Sequence, residues 1–219
     1  MKRSSAAAEP KFRREPPEAR REELVSATLA CLRKFGHEGV SVRRISAEAG
    51  VSMGLINHHF PGIAGLVAAA YDSLATTLLA ASREHALAVS GEPLERLDAF
   101  FRASFAPDAL DPALFRTWLV FWSLVPHSPE MRVVHDRTYG ETRATLEMLL
   151  GRLRRGPGVP PFRVTSAAIG LAALMDGLWV ELSLNPASFD GLEAVALCND
   201  WVQALGAGAF PGLRAGRRG

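Results

Sequence analysis

The sequence predicts an all-α protein in which a short three-helix unit leads into a larger helical bundle. Apolar residues recur at helical spacing in one segment after another, and proline and glycine residues separate these segments. No segment shows the strict apolar–polar alternation of a half-buried β-strand. With 219 residues, 48% of them hydrophobic and 22% charged, the chain can bury a core without disulfide or metal support.

The predicted helices follow from local start and stop signals. The first begins at Pro16 and Pro17, because proline is tolerated in the first turn, and it ends at Gly36, which can adopt the positive φ of a C-terminal cap. Two short helices follow, with Ser41 and Ser52 as candidate N-caps. Six longer helices are then predicted, over residues 63–89, 93–105, 112–125, 129–154, 163–184 and 192–207.

The charge distribution and the breaks divide the chain into four predicted parts. These are a flexible basic arm (1–17), a helix-turn-helix domain (18–62), a helical regulatory and dimerisation domain (63–207) and a basic tail (208–219). Residues 1–60 hold 11 Lys and Arg against 7 Asp and Glu, whereas residues 61–219 hold 14 against 16. A basic excess at one end is typical of a chain that binds a polyanion there.

The segment 41–60, SVRRISAEAGVSMGLINHHF, fits a helix-turn-helix. Ile45 gives its first helix an inward side chain, and Gly50 stands where the chain must turn sharply between helices. Ile56 and Phe60 lie four residues apart, on the inward face of the second helix. Polar side chains on the other face could then reach base edges in DNA. A plain helical hairpin with a solvated basic surface is the alternative, for this segment and for the basic residues nearby, Lys11, Arg13, Arg14, Arg20, Arg21, Arg43 and Arg44.

Residues 18–66 resemble the DNA-binding domain of the tetracycline-repressor (TetR) family. The strings FGHEGVSVRRISAEAGVS and MGLINHHF carry the resemblance, in the order and spacing of that family. It implies DNA contacts from Val42, Arg43, Ser52, Met53, Leu55, Asn57, His58 and His59. The chain departs from the family pattern at residues 61–64, Pro-Gly-Ile-Ala, where a phosphate-binding lysine is usual. Loss of that contact is expected to weaken DNA binding and its salt dependence.

Two further segments, 115–131 and 167–184, resemble the choline-responsive BetI subfamily. The resemblance implies a homodimeric repressor that binds an inverted-repeat DNA operator and responds to choline or a related quaternary ammonium ion. It also implies dimerisation through the last long helices, for which 129–154 and 163–184 are the candidates. The small residues that would allow close helix approach are Ala167, Ala168, Gly170, Ala172, Ala173 and Gly177.

Aromatic residues and one carboxylate form a candidate ligand site. Its members are Trp118, Phe121, Trp122, Asp176 and Trp179. Ring faces and a nearby negative charge can hold a quaternary ammonium ion, which donates no strong hydrogen bond. Aromatic residues at helical spacing are more often part of a plain core. Asp176 lies in an apolar helix and needs a partner, for which a backbone N–H, Arg116 and a ligand are the candidates.

Other function classes find little support in the sequence. Two cysteines, Cys31 and Cys198, are too few for a disulfide framework or a cysteine-ligated zinc site. We find no nucleophile–base arrangement, metal motif or phosphate-binding glycine loop, so neither an enzyme nor a bound cofactor is expected. The segment 164–184 is long enough to span a bilayer but contains Asp176 and Glu181, which favours a buried helix and a cytoplasmic protein. A helical small-molecule-binding protein or enzyme that does not recognise DNA remains the alternative.

Overall fold

The computed structural model describes residues 16–214, so most of the predicted basic arm and the end of the basic tail lie outside the described residues. The all-α prediction is confirmed. The helices are α1 (Pro17–Phe35), α2 (Val42–Glu48), α3 (Met53–His59), α4 (Gly62–Ala88), α5 (Pro93–Ser104), α6 (Pro112–Leu124), α7 (Pro129–Arg154), α8 (Val164–Leu184) and α9 (Gly191–Gly206). Across residues 16–214, the β pairing amounts to one isolated antiparallel bridge between Phe162 and Arg214.

Proline and glycine set the helix ends as the sequence predicts. Gly36 has φ +57° directly after α1, and Gly50 has φ +64° between α2 and α3. Ser41 and Ser52 occupy the N-cap positions of α2 and α3, as predicted, but the capping hydrogen bonds of their hydroxyls are not formed. A capping hydrogen bond does form at Ser128, whose hydroxyl accepts the Met131 N–H at 3.3 Å before α7.

The first three helices close around a small core of their own. Leu24, Cys31, Ile45 and Ile56 are each 0% exposed, and they pack with Leu66 from the start of α4. Burial of these side chains orients α2 and α3 relative to each other, because each short helix contributes an inward residue to the same cluster. The outer side of α3 is thereby left facing solvent.

Helix α4 connects this small core to the rest of the molecule. Its Leu66 belongs to the N-terminal cluster, its Tyr71 and Leu74 pack with residues of α6, and its Ala86 packs with α5 and α7. Among the described helices, α4 alone contributes buried residues to all three clusters. A displacement of α4 therefore reaches both the helix-turn-helix and the bundle.

Helices α4 and α8 are long and apolar enough to cross a membrane, judged by length and composition alone. The prediction of a buried helix over 164–184 is right for one face only. Ala168 and Leu171 are 0% exposed, but Ile169 and Leu184 are 50% and 61% exposed. Several of the small residues predicted for close helix approach between subunits, Ala167, Ala168 and Ala172, instead pack inside their own chain.

Candidate DNA interface and ligand cavity

Helix α3 presents a surface of the kind that can enter a DNA groove. Ile56 and Phe60 are 0% and 4% exposed on its inner side. The residues predicted to contact DNA lie at the surface, with Arg43, Ser52, Met53, Asn57 and His58 exposed and Val42, Leu55 and His59 partly exposed. The structure thus brings them together at one end of the molecule, and their contacts with DNA stay a prediction.

Arg21 is part of the predicted basic surface, but its side chain is engaged within the protein. Its guanidinium donates a hydrogen bond to the His59 carbonyl and lies 4.2 Å above the Phe60 ring. These contacts hold the C-terminal end of α3 against α1. Arg44 behaves similarly, with its guanidinium 4.5 Å from the Phe35 ring centroid.

A cavity of about 710 Å³ lies within the bundle. Helices α4, α5, α7 and α8 provide most of its walls, and α6 contributes Trp118 and Trp122. Of the five predicted ligand residues, Trp118, Trp122, Asp176 and Trp179 line this cavity. Phe121 does not, because it is 0% exposed and packs with its ring centroid 5.0 Å from that of Tyr71. For Phe121 the core interpretation fits better than a ligand contact.

The three tryptophan rings form a cluster at the cavity wall. The ring centroid of Trp118 lies 6.2 Å from that of Trp122 and 6.1 Å from that of Trp179, with steep angles of 69° and 64° between the planes. The Trp179 indole N–H donates a hydrogen bond to the Ser104 carbonyl at 3.1 Å, which fixes that ring. Several ring faces and edges therefore meet near one point.

The hydrogen-bond partner of Asp176 is Tyr139, which is not among the candidates predicted from the sequence. The Asp176 Oδ2 accepts a hydrogen bond from the Tyr139 hydroxyl at 2.5 Å. Burial raises the pKa of the Asp176 carboxyl, and the hydrogen bond from Tyr139 opposes that rise. Burial and the negative charge of Asp176 raise the pKa of the Tyr139 hydroxyl, which remains a donor. Arg116 is exposed, and none of the ion pairs seen within residues 16–214 involves Asp176.

A row of polar side chains links this carboxylate to α4. The His135 ring lies against Tyr139, with centroids 4.3 Å apart, and its Nδ1 is 2.9 Å from the Tyr71 hydroxyl. Burial raises the pKa of Tyr71 to about 12 and lowers the pKa of His135. Sequence reasoning missed these three residues. The spacing of His135 and Tyr139, four apart and on one face of α7, is the signal that could have found them.

Helices α8 and α9 expose several large apolar side chains. Ile169, Leu184, Leu192 and Leu197 are 50%, 61%, 69% and 48% exposed. Helix α7, predicted as half of a subunit interface, buries Leu146, Leu149 and Leu150 within the same chain and exposes Val133. The predicted interface through 129–154 and 163–184 stays a prediction, and the exposed side chains of α9 are further candidates for it.

Comparison with known proteins matches both halves of the chain. Residues 24–70 match the model of bacterial regulatory proteins of the tetR family, and residues 93–207 match that of the BetI-type transcriptional repressor C-terminal domain. The HTH-type transcriptional regulator BetI of Burkholderia thailandensis is 34% identical over 188 residues, which cover 86% of this chain and 94% of that protein.

Solved structures of transcriptional regulators have the same fold as this chain. The crystal structure of a proposed transcriptional regulator from Pseudomonas aeruginosa PAO1 is 46% identical, with a TM-score of 0.84 over 92% of this chain and 97% of that one. A regulator structure from Saccharomonospora viridis in complex with choline is 21% identical, with a TM-score of 0.71 over 86% of this chain and 97% of that one. At that identity the second structure shows the same fold.

Proposed function

Because the chain belongs to the TetR family of transcriptional regulators and has a BetI-type C-terminal domain, we propose that it is a homodimeric repressor whose binding to an inverted-repeat operator is controlled by a cationic amine. It is a regulator rather than an enzyme, as its relatives are. Its DNA target implies a cytoplasmic location.

The observation that carries the proposal is the position of α4. The start of this helix packs in the core that orients α2 and α3, and its middle, from Leu74 to His85, lines the cavity. A ligand that favours one position of α4 therefore favours one position of α3, the recognition helix. Such a ligand changes operator affinity by its difference in affinity for the two positions.

The proposed DNA contacts are those of α2 and α3. Asn57 and His58 can reach base edges, and Arg43 and the free hydroxyl of Ser52 can reach phosphate. Two subunits related by a two-fold axis would place two copies of α3 about 34 Å apart, one turn of DNA, which requires an inverted repeat.

The proposed effector site is the tryptophan cluster around Asp176. A carboxylate and several ring faces are suited to a quaternary ammonium head group. Choline is a reasonable first candidate, because it is the ligand in the S. viridis structure. Calorimetry with choline and then with betaine aldehyde tests it directly, and folded protein that gives no heat with either would contradict this part of the proposal.

A fluorescence anisotropy titration tests DNA binding. We expect the full chain to prefer duplex DNA from upstream of its own gene over shuffled duplex, with an affinity that falls as salt rises. Asn57→Ala should reduce that preference about 5- to 150-fold, as expected for loss of one base contact. Glu84→Ala, an exposed position on α4, is the control and should bind as the unaltered chain does. Equal, salt-independent binding to both duplexes would support the alternative, a small-molecule-binding protein that does not recognise DNA.

A further inference from the structure

The cavity is much larger than choline requires. Its volume is about 710 Å³, within the roughly 300–1,000 Å³ of cavities that enclose drug-sized ligands. Choline is no bulkier than a lysine side chain. Bound alone, it would leave most of the apolar wall without a partner, and dispersion contacts are lost wherever a wall faces a gap.

Asp176 and the tryptophan cluster lie together in one part of this cavity. Asp176 and Tyr139 meet there, beside the tryptophan cluster. Along α7 the lining continues from Tyr139 to Leu146, two helical turns or about 10 Å further. Leu146 packs in one apolar cluster with Leu79, Phe100 and Ala172, which also line the cavity. The wall around Leu146 therefore contains mainly apolar side chains, whereas Asp176 and the tryptophan rings lie about two helical turns away.

The charges around the cavity favour a positive ligand. Asp176 accepts one hydrogen bond from Tyr139 and has no cationic partner among the described residues. Of the basic residues in the wall, Arg102 is neutralised by Asp98 at 2.6 Å, and Arg33 is exposed to solvent. Asp108 also lies in the wall but, like Arg33, is exposed to solvent, so Asp176 is the carboxylate on which a cation site here depends.

We propose that the cavity takes an elongated organic cation larger than choline, with its head group at Asp176 and the tryptophan rings and an apolar chain or ring system extending toward Leu146. This assignment rests on the proposed ligand-responsive function and specifies the chemical class of the effector. Asp176 supplies the counter-charge, and the apolar body supplies most of the contact area.

The test is a series of alkyltrimethylammonium ions, from choline through butyl to octyl, titrated calorimetrically into the full chain without DNA and below micelle-forming concentrations. Each added methylene that enters the cavity should increase affinity about fourfold, corresponding to about 0.8 kcal/mol. Neutral analogues, in which a tert-butyl group replaces trimethylammonium, should bind more than tenfold more weakly. Tightest binding of choline, or equal binding of charged and neutral analogues, would overturn the assignment.

Variants separate the two ends of the site. Asp176→Asn keeps an acceptor for Tyr139 and should lower the affinity for every cation of the series more than tenfold. Glu181 is an exposed carboxylate on the same helix, outside the cavity wall. Glu181→Gln should therefore leave the affinities for all these cations unchanged. Leu79→Trp fills the apolar end, so it should weaken the octyl ion more than tenfold and leave choline unchanged. Equal loss for both ligands in Leu79→Trp would contradict the placement of the apolar body.

The outcome is independent of DNA recognition, because every titration uses the protein alone. Cation binding without an operator preference would leave this assignment standing and remove the repressor proposal. An operator preference with no binding along the series would do the reverse.

Discussion

Arg21 of α1 contacts the C-terminal end of α3. The sequence places it in a basic cluster, yet its guanidinium is bound to the His59 carbonyl and the Phe60 ring. A hydrogen bond from a charged group contributes about 1.5–3 kcal/mol. The positive charge of Arg21 therefore serves to hold the end of the recognition helix in place.

A salt titration distinguishes this positioning role from a phosphate contact. Arg21→Met should weaken operator binding while the slope of log K against log salt stays unchanged, because no phosphate contact is lost. Arg43→Met should weaken binding and reduce the slope by about 0.9, the value for one phosphate contact. A slope reduced equally in the two variants would show that Arg21 binds phosphate.

The raised pKa of Asp176 determines the direction in which the stability of the protein changes with pH. Burial raises the pKa of its carboxyl in the folded chain, so the folded state holds a proton that the unfolded state releases above about pH 3.9. Stability consequently falls as pH rises from that value through the raised pKa, and the loss is complete above it. Each pKa unit corresponds to about 1.4 kcal/mol.

Asp176→Asn removes this penalty, because the amide stays neutral and still accepts the Tyr139 hydrogen bond. We expect the variant to be more stable than the unaltered chain at pH 7 in urea unfolding, and equal to it near pH 3. A less stable variant at pH 7 would show that the carboxylate is well compensated in the absence of ligand.

Two glycines, one before α3 and one within it, have opposite effects on the stability of this recognition helix. Gly50 has φ +64° at the turn before α3, a conformation that costs a residue with a Cβ about 1–2 kcal/mol. Gly54 lies inside α3 without a positive φ, and a Cβ there would meet nothing within 4 Å. In free protein, an alanine at position 54 has only its helix propensity to contribute.

Gly50→Ala should thus lower the free energy of unfolding by about 1–2 kcal/mol, and Gly54→Ala should raise it by about 0.5–1 kcal/mol. Urea unfolding measures both. Gly54→Ala should nonetheless weaken operator binding, because the new methyl group lies on the exposed side of α3. If Gly54→Ala binds the operator as well as the unaltered chain, the backbone at residue 54 does not approach DNA closely.

The elements also show which information is local in sequence. The end of α1 and the start of α7 were predictable from single residues. Gly36 can adopt a positive φ and Pro129 has a fixed φ, whatever the chain does elsewhere. The pairing of Tyr139 with Asp176 joins residues 37 positions apart, and no local pattern encodes it. The same limit explains Phe121, since helical spacing groups it with Trp118 and Trp122 but does not say which ring meets a cavity. The eight DNA-contact residues stay predictions.

At the scale of the whole molecule, the exposed apolar side of α8 and α9 has consequences for DNA recognition. Exposed Ile169 and Leu197 would be costly as a permanent solvent-facing surface, and large apolar patches commonly mark interfaces. In a two-fold dimer the same patch meets its copy, so every substitution there acts twice. The interface also sets the distance between the two copies of α3.

We therefore expect the double variant Ile169→Glu, Leu197→Glu to be monomeric by light scattering, because four carboxylates would enter the apolar interface of each dimer and an unpaired buried charge is strongly unfavourable. Its operator affinity should fall more than tenfold, since each monomer then contacts a single half-site.

Val133→Glu is the matched control: Val133 is 70% exposed on α7 rather than on α8 or α9, and this variant should stay dimeric with unchanged affinity. Circular dichroism should show equal helix content in all three proteins. A double variant that remains dimeric would place the interface elsewhere on the bundle, and a monomeric Val133→Glu would point to α7.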